Sequence, residues 1–206
     1  SSHPGTSALV AAAVVDAARR TGMPEGVFSM LFGEGSTVGQ RLIRHPAAKA
    51  GAFTGSPAAG RLLFDLASRR PEPIPFFAEM GSLNPVLLLP QALARRGREI
   101  ARDFAASVTL GCGQFCTKPG LLIARRGEAL EAFTRELAAA LAGILPVSML
   151  NPRIHSAFEA GRRQALAQKG VGREAVSAAD ADPGAHQGQP TLATVAAAEF
   201  MANPIL

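Results

Sequence analysis

Ala-rich stretches with helical apolar spacing alternate with short apolar runs through the first half of the chain. Residues 8–20, preceded by the cap candidates Thr6 and Ser7, predict a helix stopped by Gly22 and Pro24. The compact apolar run at 27–32 predicts a short buried strand. It feeds Gly33-Glu34-Gly35-Ser36-Thr37-Val38-Gly39, after which residues 38–45 predict a helix closed by Pro46. The cycle then repeats: a strand at 50–53, a turn at Thr54-Gly55-Ser56-Pro57, and a helix over 58–70 with Leu62, Leu63 and Leu66 on one face. Pro71, Pro73 and Pro75 punctuate the chain around the start of another strand at 74–79.

Strand, glycine-rich turn, helix, strand is the grammar of parallel α/β units, in which ligands gather at the carboxyl ends of the strands. The expected fold class is therefore α/β, with the turns at 33–39 and 54–57 as places to look for a ligand. A second section follows: an apolar strand at 86–89, a long helix at 91–110, a glycine-rich loop at 111–120, a strand at 121–124 and a helix at 127–142. Residues 154–168 again predict a helix, and 177–189 predict a loop ahead of the apolar stretch 191–195.

Composition narrows the class. The 206 residues are 48% hydrophobic and 18% charged, which suits a globular chain that buries a core without disulfides and excludes a highly charged disordered one. Apolar runs such as 8–15 and 86–89 fall short of the roughly 20 residues that span a bilayer, so no membrane association is expected. The net charge of +5 invites a nucleic-acid reading, but the basic residues come as scattered pairs, among them Arg19/Arg20, Arg69/Arg70 and Arg95/Arg96. With no Trp, no Tyr and no basic run interleaved with aromatics, no nucleic-acid partner is expected. Two cysteines and no recognisable leader point to a reducing, cytoplasmic setting.

Chemistry concentrates in a few places. Cys116 lies in Gly111-Cys112-Gly113-Gln114-Phe115-Cys116-Thr117-Lys118-Pro119-Gly120, where glycines let backbone approach a substrate and Lys118 lies close in sequence. On residues alone it reads either as a displayed nucleophile or as an inert buried thiol, and Cys112 suits the inert role better. Cys-x-x-x-Cys lacks the four ligands of a structural zinc site, so no metal is expected. Glu79 ends an apolar strand; desolvation there would raise its pKa and suit a general base, while the competing reading is a solvated or capping carboxylate. Gly33-x-Gly35-x-x-x-Gly39 is one residue longer than a dinucleotide fingerprint, and its glycines either face a phosphate or merely end a strand. Ser56 is a second such position, or an ordinary helix cap.

Taken in order, three segments resemble the aldehyde dehydrogenase superfamily. Phe53-Thr54-Gly55-Ser56-x-x-x-Gly60 resembles its cofactor-side turn, Glu79-Met80-Gly81-Ser82-x-Asn84-Pro85 its catalytic glutamate motif, and Gly113-Gln114-Phe115-Cys116 its nucleophile motif. The opening His3-Pro4-Gly5-Thr6-Ser7 and the run Met80-Gly81-Ser82-Leu83-Asn84-Pro85 resemble the branch that oxidises 2,5-dioxopentanoate, α-ketoglutaric semialdehyde, with NADP. The resemblance implies a small aldehyde substrate, NADP with NAD as the alternative cofactor, and a homo-oligomeric full-length protein. It implies Cys116 as nucleophile and Glu79 as the base that activates water. Gly35, Gly39 and Ser56 would line the adenosine and pyrophosphate side, with Met80 and Gly81 near the nicotinamide. Residues 1–81 would be the second half of a Rossmann-like nucleotide-binding domain and 82–206 the first part of an α/β catalytic domain. The first lysine is Lys49, so the family's upstream cofactor lysine has no counterpart, and the chain resembles an interior portion of the enzyme. A catalytically incompetent fragment or degenerate paralogue with only a binding role is the alternative from another class.

Overall fold

A computed structural model describes residues 3–205. The chain divides into two compact units, one ending at Gly81 and the other beginning at Ser82.

In the first unit, α1 (Pro4–Arg20) starts on a proline, which suits the first helical turn because its missing N–H has no intrahelical partner. It ends where the Thr21 hydroxyl donates to the Ala17 carbonyl at 2.8 Å and Gly22 turns left-handed at φ +68°. Helix α2 (Gly35–Arg44) is followed by β1 (Gly51–Gly55), α3 (Pro57–Ser68) and β2 (Phe76–Met80). The two strands pair in parallel, Gly51 opposite Phe76 and Thr54 opposite Glu79, with α3 as the crossover. Helix α3 lies close to this sheet because Gly60 is buried and lacks a side chain: a Cβ there would collide with Met80 and lie 3.2 Å from the Phe53 ring. Ile43 on α2 and Ala67 on α3 are the buried apolar residues of this unit. Arg70 ties it together from outside, donating to the Ile43 carbonyl at 2.8 Å at the end of α2, where helix carbonyls favour a cation.

The strand expected at 27–32 does not form. Val27, Phe28, Met30, Leu31 and Phe32 are exposed and carry no strand hydrogen bonding, because the sheet of this unit consists of β1 and β2 alone and nothing among the described residues pairs with the segment.

The second unit repeats the strand, helix, strand arrangement. Strand β3 (Pro85–Leu88) and β4 (Leu121–Ala124) are parallel, Pro85 opposite Leu121, and α4 (Pro90–Thr109) crosses between them. Helix α4 breaks its regular geometry at Arg96 (φ −135°), just before Gly97. Its face packs on α5 (Glu128–Ala142), and Leu93, Ala101 and Ala105 with Phe133, Leu137, Leu141 and Leu88 form the core. Burial of such side chains stabilises a fold by roughly 1.5–3 kcal/mol each for the large ones. The small alanines let the two helices approach.

Beyond α5 come β5 (Val147–Ser148), α6 (Pro152–Leu166), β6 (Gly172–Val176), β7 (Gln187–Gly188), β8 (Thr191–Thr194) and α7 (Ala197–Ala202). Strand β5 pairs antiparallel with β7 across the end of the 177–189 segment, and β6 pairs antiparallel with β8 across an irregularity between Arg173 and Ala175. Asn151 caps α6, its side chain accepting from the Ile154 N–H at 2.9 Å. Ser177, only 3% exposed, satisfies its buried hydroxyl by donating to the Ile144 carbonyl at 2.7 Å. No helix among the described residues is long and apolar enough to cross a membrane.

Candidate active site

After α4 the backbone turns left-handed at three consecutive residues, Gly111 (φ +56°), Cys112 (φ +59°) and Gly113 (φ +68°). Glycine is required there for space as well as conformation: a Cβ on Gly113 would lie 3.0 Å from the Val108 carbonyl oxygen, and one on Gly111 would meet the Phe115 ring. A second turn follows, closed by the Lys118 N–H donating to the Phe115 carbonyl at 3.1 Å, and Cys116 lies exposed inside it.

The two thiols therefore sit differently. Cys112 is half-buried and donates to the Val147 carbonyl at 3.3 Å, at the start of β5. Burial pushes its pKa up, opposed more weakly by a hydrogen bond from the Gly188 backbone. That environment favours the neutral thiol. Cys116 is open to solvent, and its backbone carbonyl accepts from the Ser82 hydroxyl and from Asn84 Nδ2, the latter at 2.8 Å. Asn84 Nδ2 also reaches the Lys118 carbonyl at 3.0 Å. Lys118 runs along the loop glycines, its Cδ 3.1 Å from a Cβ built on Gly113 and its Nζ 3.3 Å from one built on Gly120. Gln114 braces the loop, its Nε2 donating to the Gly111 carbonyl at 3.1 Å and its Oε1 accepting from the Leu150 N–H at 2.9 Å.

In the first unit, Ser56 follows the carboxyl end of β1, and Glu79, Met80 and Gly81 lie at that of β2. Glu79 is the fourth residue of β2 and is exposed, so of its two readings the solvated carboxylate holds and the desolvated one does not. Side chains alternate along a strand: Phe76 and Ala78 are half-buried, so Phe77 and Glu79 point the other way. Met80 turns back to the α3 side, its sulfur against Gly60, and Gly81 (φ +67°) ends the strand, with a Cβ there 3.3 Å from Pro57. Ser56 caps α3, its hydroxyl oxygen accepting from the Ala59 N–H at 3.4 Å. Gly35 opens α2 with nothing within 4 Å of a Cβ built on it, and Gly39 lies one turn on, where a Cβ would be 3.8 Å from Leu63. Neither helix has an acidic residue in its first turn, but Glu34 stands at the N-cap of α2; Gly35 leaves that start sterically open and Ser56 caps the other, and helix starts of this kind can face an anion. Among the described residues no group of three or more His, Cys, Asp or Glu side chains is placed to hold a metal ion.

Ser82 and Asn84 had no individual role assigned from the sequence. The available signal was Asn84 before Pro85, since asparagine tolerates the left-handed backbone found there, φ +48°.

Comparison with known proteins matches the "Aldehyde dehydrogenase family" model over residues 3–161. The chain is 46% identical over 202 residues to alpha-ketoglutaric semialdehyde dehydrogenase 2 of Azospirillum brasilense, covering 98% of this chain and 38% of that protein. It is 42% identical over 192 residues to alpha-ketoglutaric semialdehyde dehydrogenase of Acinetobacter baylyi, covering 93% of this chain and 36% of that one. A solved NAD-dependent aldehyde dehydrogenase from Sinorhizobium meliloti superimposes with a TM-score of 0.67 at 25% identity, over 82% of this chain and 33% of the other. The chain thus spans under two-fifths of the length of these curated relatives.

Proposed function

The chain belongs to the aldehyde dehydrogenase family, and from that membership we propose that the full-length protein oxidises 2,5-dioxopentanoate to 2-oxoglutarate with NADP, through a thioester on Cys116. The observation that carries the assignment of the nucleophile is the contrast between its thiols: Cys116 is exposed on a loop with its carbonyl pinned, while Cys112 is half-buried and hydrogen-bonded. The substrate rests on the two relatives above 40% identity, both named for α-ketoglutaric semialdehyde.

In this reading the Cys116 thiolate adds to the aldehyde carbon and forms a C–S bond, leaving a hemithioacetal oxyanion. The Cys116 backbone N–H helps to hold that oxyanion. Gly35, Gly39 and Ser56 would hold the adenosine and pyrophosphate side of the dinucleotide, and Met80 and Gly81 the nicotinamide side. When bound, that group supplies the two-electron acceptor for the adduct. Cys116 then carries the acyl group as a thioester. Glu79 takes a proton from the water that attacks the acyl carbon, the C–S bond breaks, and the thiolate and the carboxylic acid separate.

Residues up to Gly81 would serve nucleotide binding and those from Ser82 catalysis. A reducing, cytoplasmic setting suits a free-thiol nucleophile, and the family resemblance extends the proposal to a homo-oligomer. The test is Cys116→Ala in the full-length protein, with NADPH formation followed against 2,5-dioxopentanoate and simpler aldehydes. Loss of turnover with NADP binding retained is the expected result; turnover at the unmodified rate would overturn the assignment.

A further inference from the structure

We propose that Ser82 and Asn84 are positioning residues that set the Cys116 side chain by holding its backbone carbonyl. The proposal rests on Cys116 being the nucleophile, as argued above. Two side-chain donors converge on that one carbonyl oxygen: the Ser82 hydroxyl, and Asn84 Nδ2 at 2.8 Å. The same Asn84 nitrogen donates to the Lys118 carbonyl at 3.0 Å, so one amide spans the turn that carries Cys116.

Peptide planarity gives this clamp its leverage. Fixing the direction of the Cys116 carbonyl fixes the plane of the peptide to Thr117 and hence ψ of Cys116. With the turn closed by Lys118 N–H to the Phe115 carbonyl, 3.1 Å, the Cα–Cβ bond is left with little freedom to swing. An exposed thiol has few packing neighbours to orient it. The backbone beneath it must do so.

Both sides of the clamp are anchored to one sheet. Residues 82–84 lead directly into β3, and the loop that carries Cys116 leads into β4. The pairing of Pro85 with Leu121 brings the starts of these strands together. The Gly120 N–H donates to the Leu83 carbonyl at 2.8 Å, extending the ladder back toward the loop. Asn84 adopts φ +48°, a left-handed conformation uncommon for residues other than glycine and most accessible to Asn and Asp. The Ser82 and Asn84 side chains both reach the Cys116 carbonyl, and Leu83, 51% exposed, sets its Cδ1 3.2 Å from a Cβ built on Gly120 at the end of the same loop.

The experiment uses the full-length protein. Ser82→Ala, Asn84→Ala and Ser82→Thr are compared with Cys116→Ala and the unmodified protein for kcat, KM and melting temperature, and iodoacetamide labelling of the Cys116 peptide is read by mass spectrometry. Misplacing a nucleophile reduces rate more than ground-state binding, so each alanine variant is expected to lower kcat by about tenfold or more with KM changed less than about twofold. Cys116 should still be labelled, and Ser82→Thr, which keeps the hydroxyl, should recover most of kcat. Two results would overturn the clamp: kcat within about twofold in both alanine variants, or a loss that follows melting temperature and is not recovered by threonine. In either case Cys116→Ala stays inactive. An active Cys116→Ala instead overturns the nucleophile reading itself, and the clamp with it.

Discussion

Cys112 Sγ donates to the Val147 carbonyl at 3.3 Å, which ties the left-handed turn after α4 to the first residue of β5. Burial favours the neutral form and raises its pKa above the ordinary thiol value, opposed more weakly by the Gly188 backbone, and only the neutral thiol can donate to Val147. The unfolded chain loses this proton first. Any stability contributed by the neutral thiol is therefore fully present below the ordinary thiol pKa and declines as pH rises through the folded value. In the folded protein, alkylation near neutral pH should modify Cys116 well before Cys112, as peptide mapping after timed exposure to iodoacetamide will show. Cys112→Ser should keep aldehyde oxidation within about threefold, since a serine hydroxyl also donates to Val147. Preferential labelling of Cys112 would reverse the roles of the two thiols.

Glu79→Gln separates the two halves of the proposed reaction. The amide keeps the size of the side chain but accepts no proton from water at neutral pH. Steady-state turnover should fall by about a hundredfold or more, within the range for loss of a general base. The first turnover should survive as a burst of NADPH close to one equivalent per active site, because acyl release and not oxidation has been slowed. Stopped-flow absorbance reads both phases. A steady-state rate equal to that of the unmodified protein, with hydrolysis independently shown to limit it, would remove Glu79 from that role.

Much of the framework follows from local pattern. The periodic stretches at 58–70, 91–110 and 127–142 correspond to α3, α4 and α5, and the apolar run at 121–124 is β4. The turn after β1 was legible from Gly55 and Pro57, and the loop holding Cys116 from Gly111, Gly113, Pro119 and Gly120, which interrupt that periodicity. The failures have a different origin. Residues 27–32 are apolar enough for a strand, but a strand needs a neighbour, and pairing is not a local property. Strands β5 and β7 are two residues long, too short for any alternation to register, and β6 reads Gly-Arg-Glu-Ala-Val with mixed polarity. The apolar neighbours of Glu79 leave a desolvated and a solvated carboxylate both open; the period-two alternation of β2, set by its partner and by α3, turns it to the open face. The bonds from Ser82 and Asn84 to Cys116 cross more than thirty residues of sequence and leave no local signature.

Gly60 tests how closely α3 must lie on the sheet. A Cβ there collides with Met80 and comes within 3.2 Å of the Phe53 ring. The Met80 thioether is flexible and can move aside, while the ring and the helix backbone yield less. Gly60→Ala is expected to destabilise the protein by about 1–2 kcal/mol, toward the lower part of the range for overpacking. Shortening the obstructing side chain in Gly60→Ala/Met80→Ala should give a coupling energy of about 0.5 kcal/mol or more in the relieving direction, measured by urea denaturation as a double-mutant cycle. Additive effects would show that Met80 is not what constrains the helix.

Gln114 offers the most direct separation of donor from acceptor within the loop. Its amide nitrogen donates to the Gly111 carbonyl at 3.1 Å while its oxygen accepts from the Leu150 N–H at 2.9 Å, so the side chain bridges the left-handed turn to the segment that precedes α6. Gln114→Ala removes both bonds and should reduce stability by about 1–2 kcal/mol, the sum expected for two ordinary hydrogen bonds in a partly exposed site. Gln114→Glu keeps the acceptor for Leu150 but places a carboxylate oxygen where the donor to Gly111 stood, setting two acceptors against each other. The glutamate variant should therefore regain stability as pH is lowered through the carboxylate range, because a protonated carboxyl can donate again. Gln114→Ala should show no such pH-dependent recovery relative to the unmodified protein. Denaturation midpoints measured from pH 4 to pH 8 on all three proteins read the difference, and parallel curves for the two variants would mean that the bond to Gly111 contributes nothing measurable.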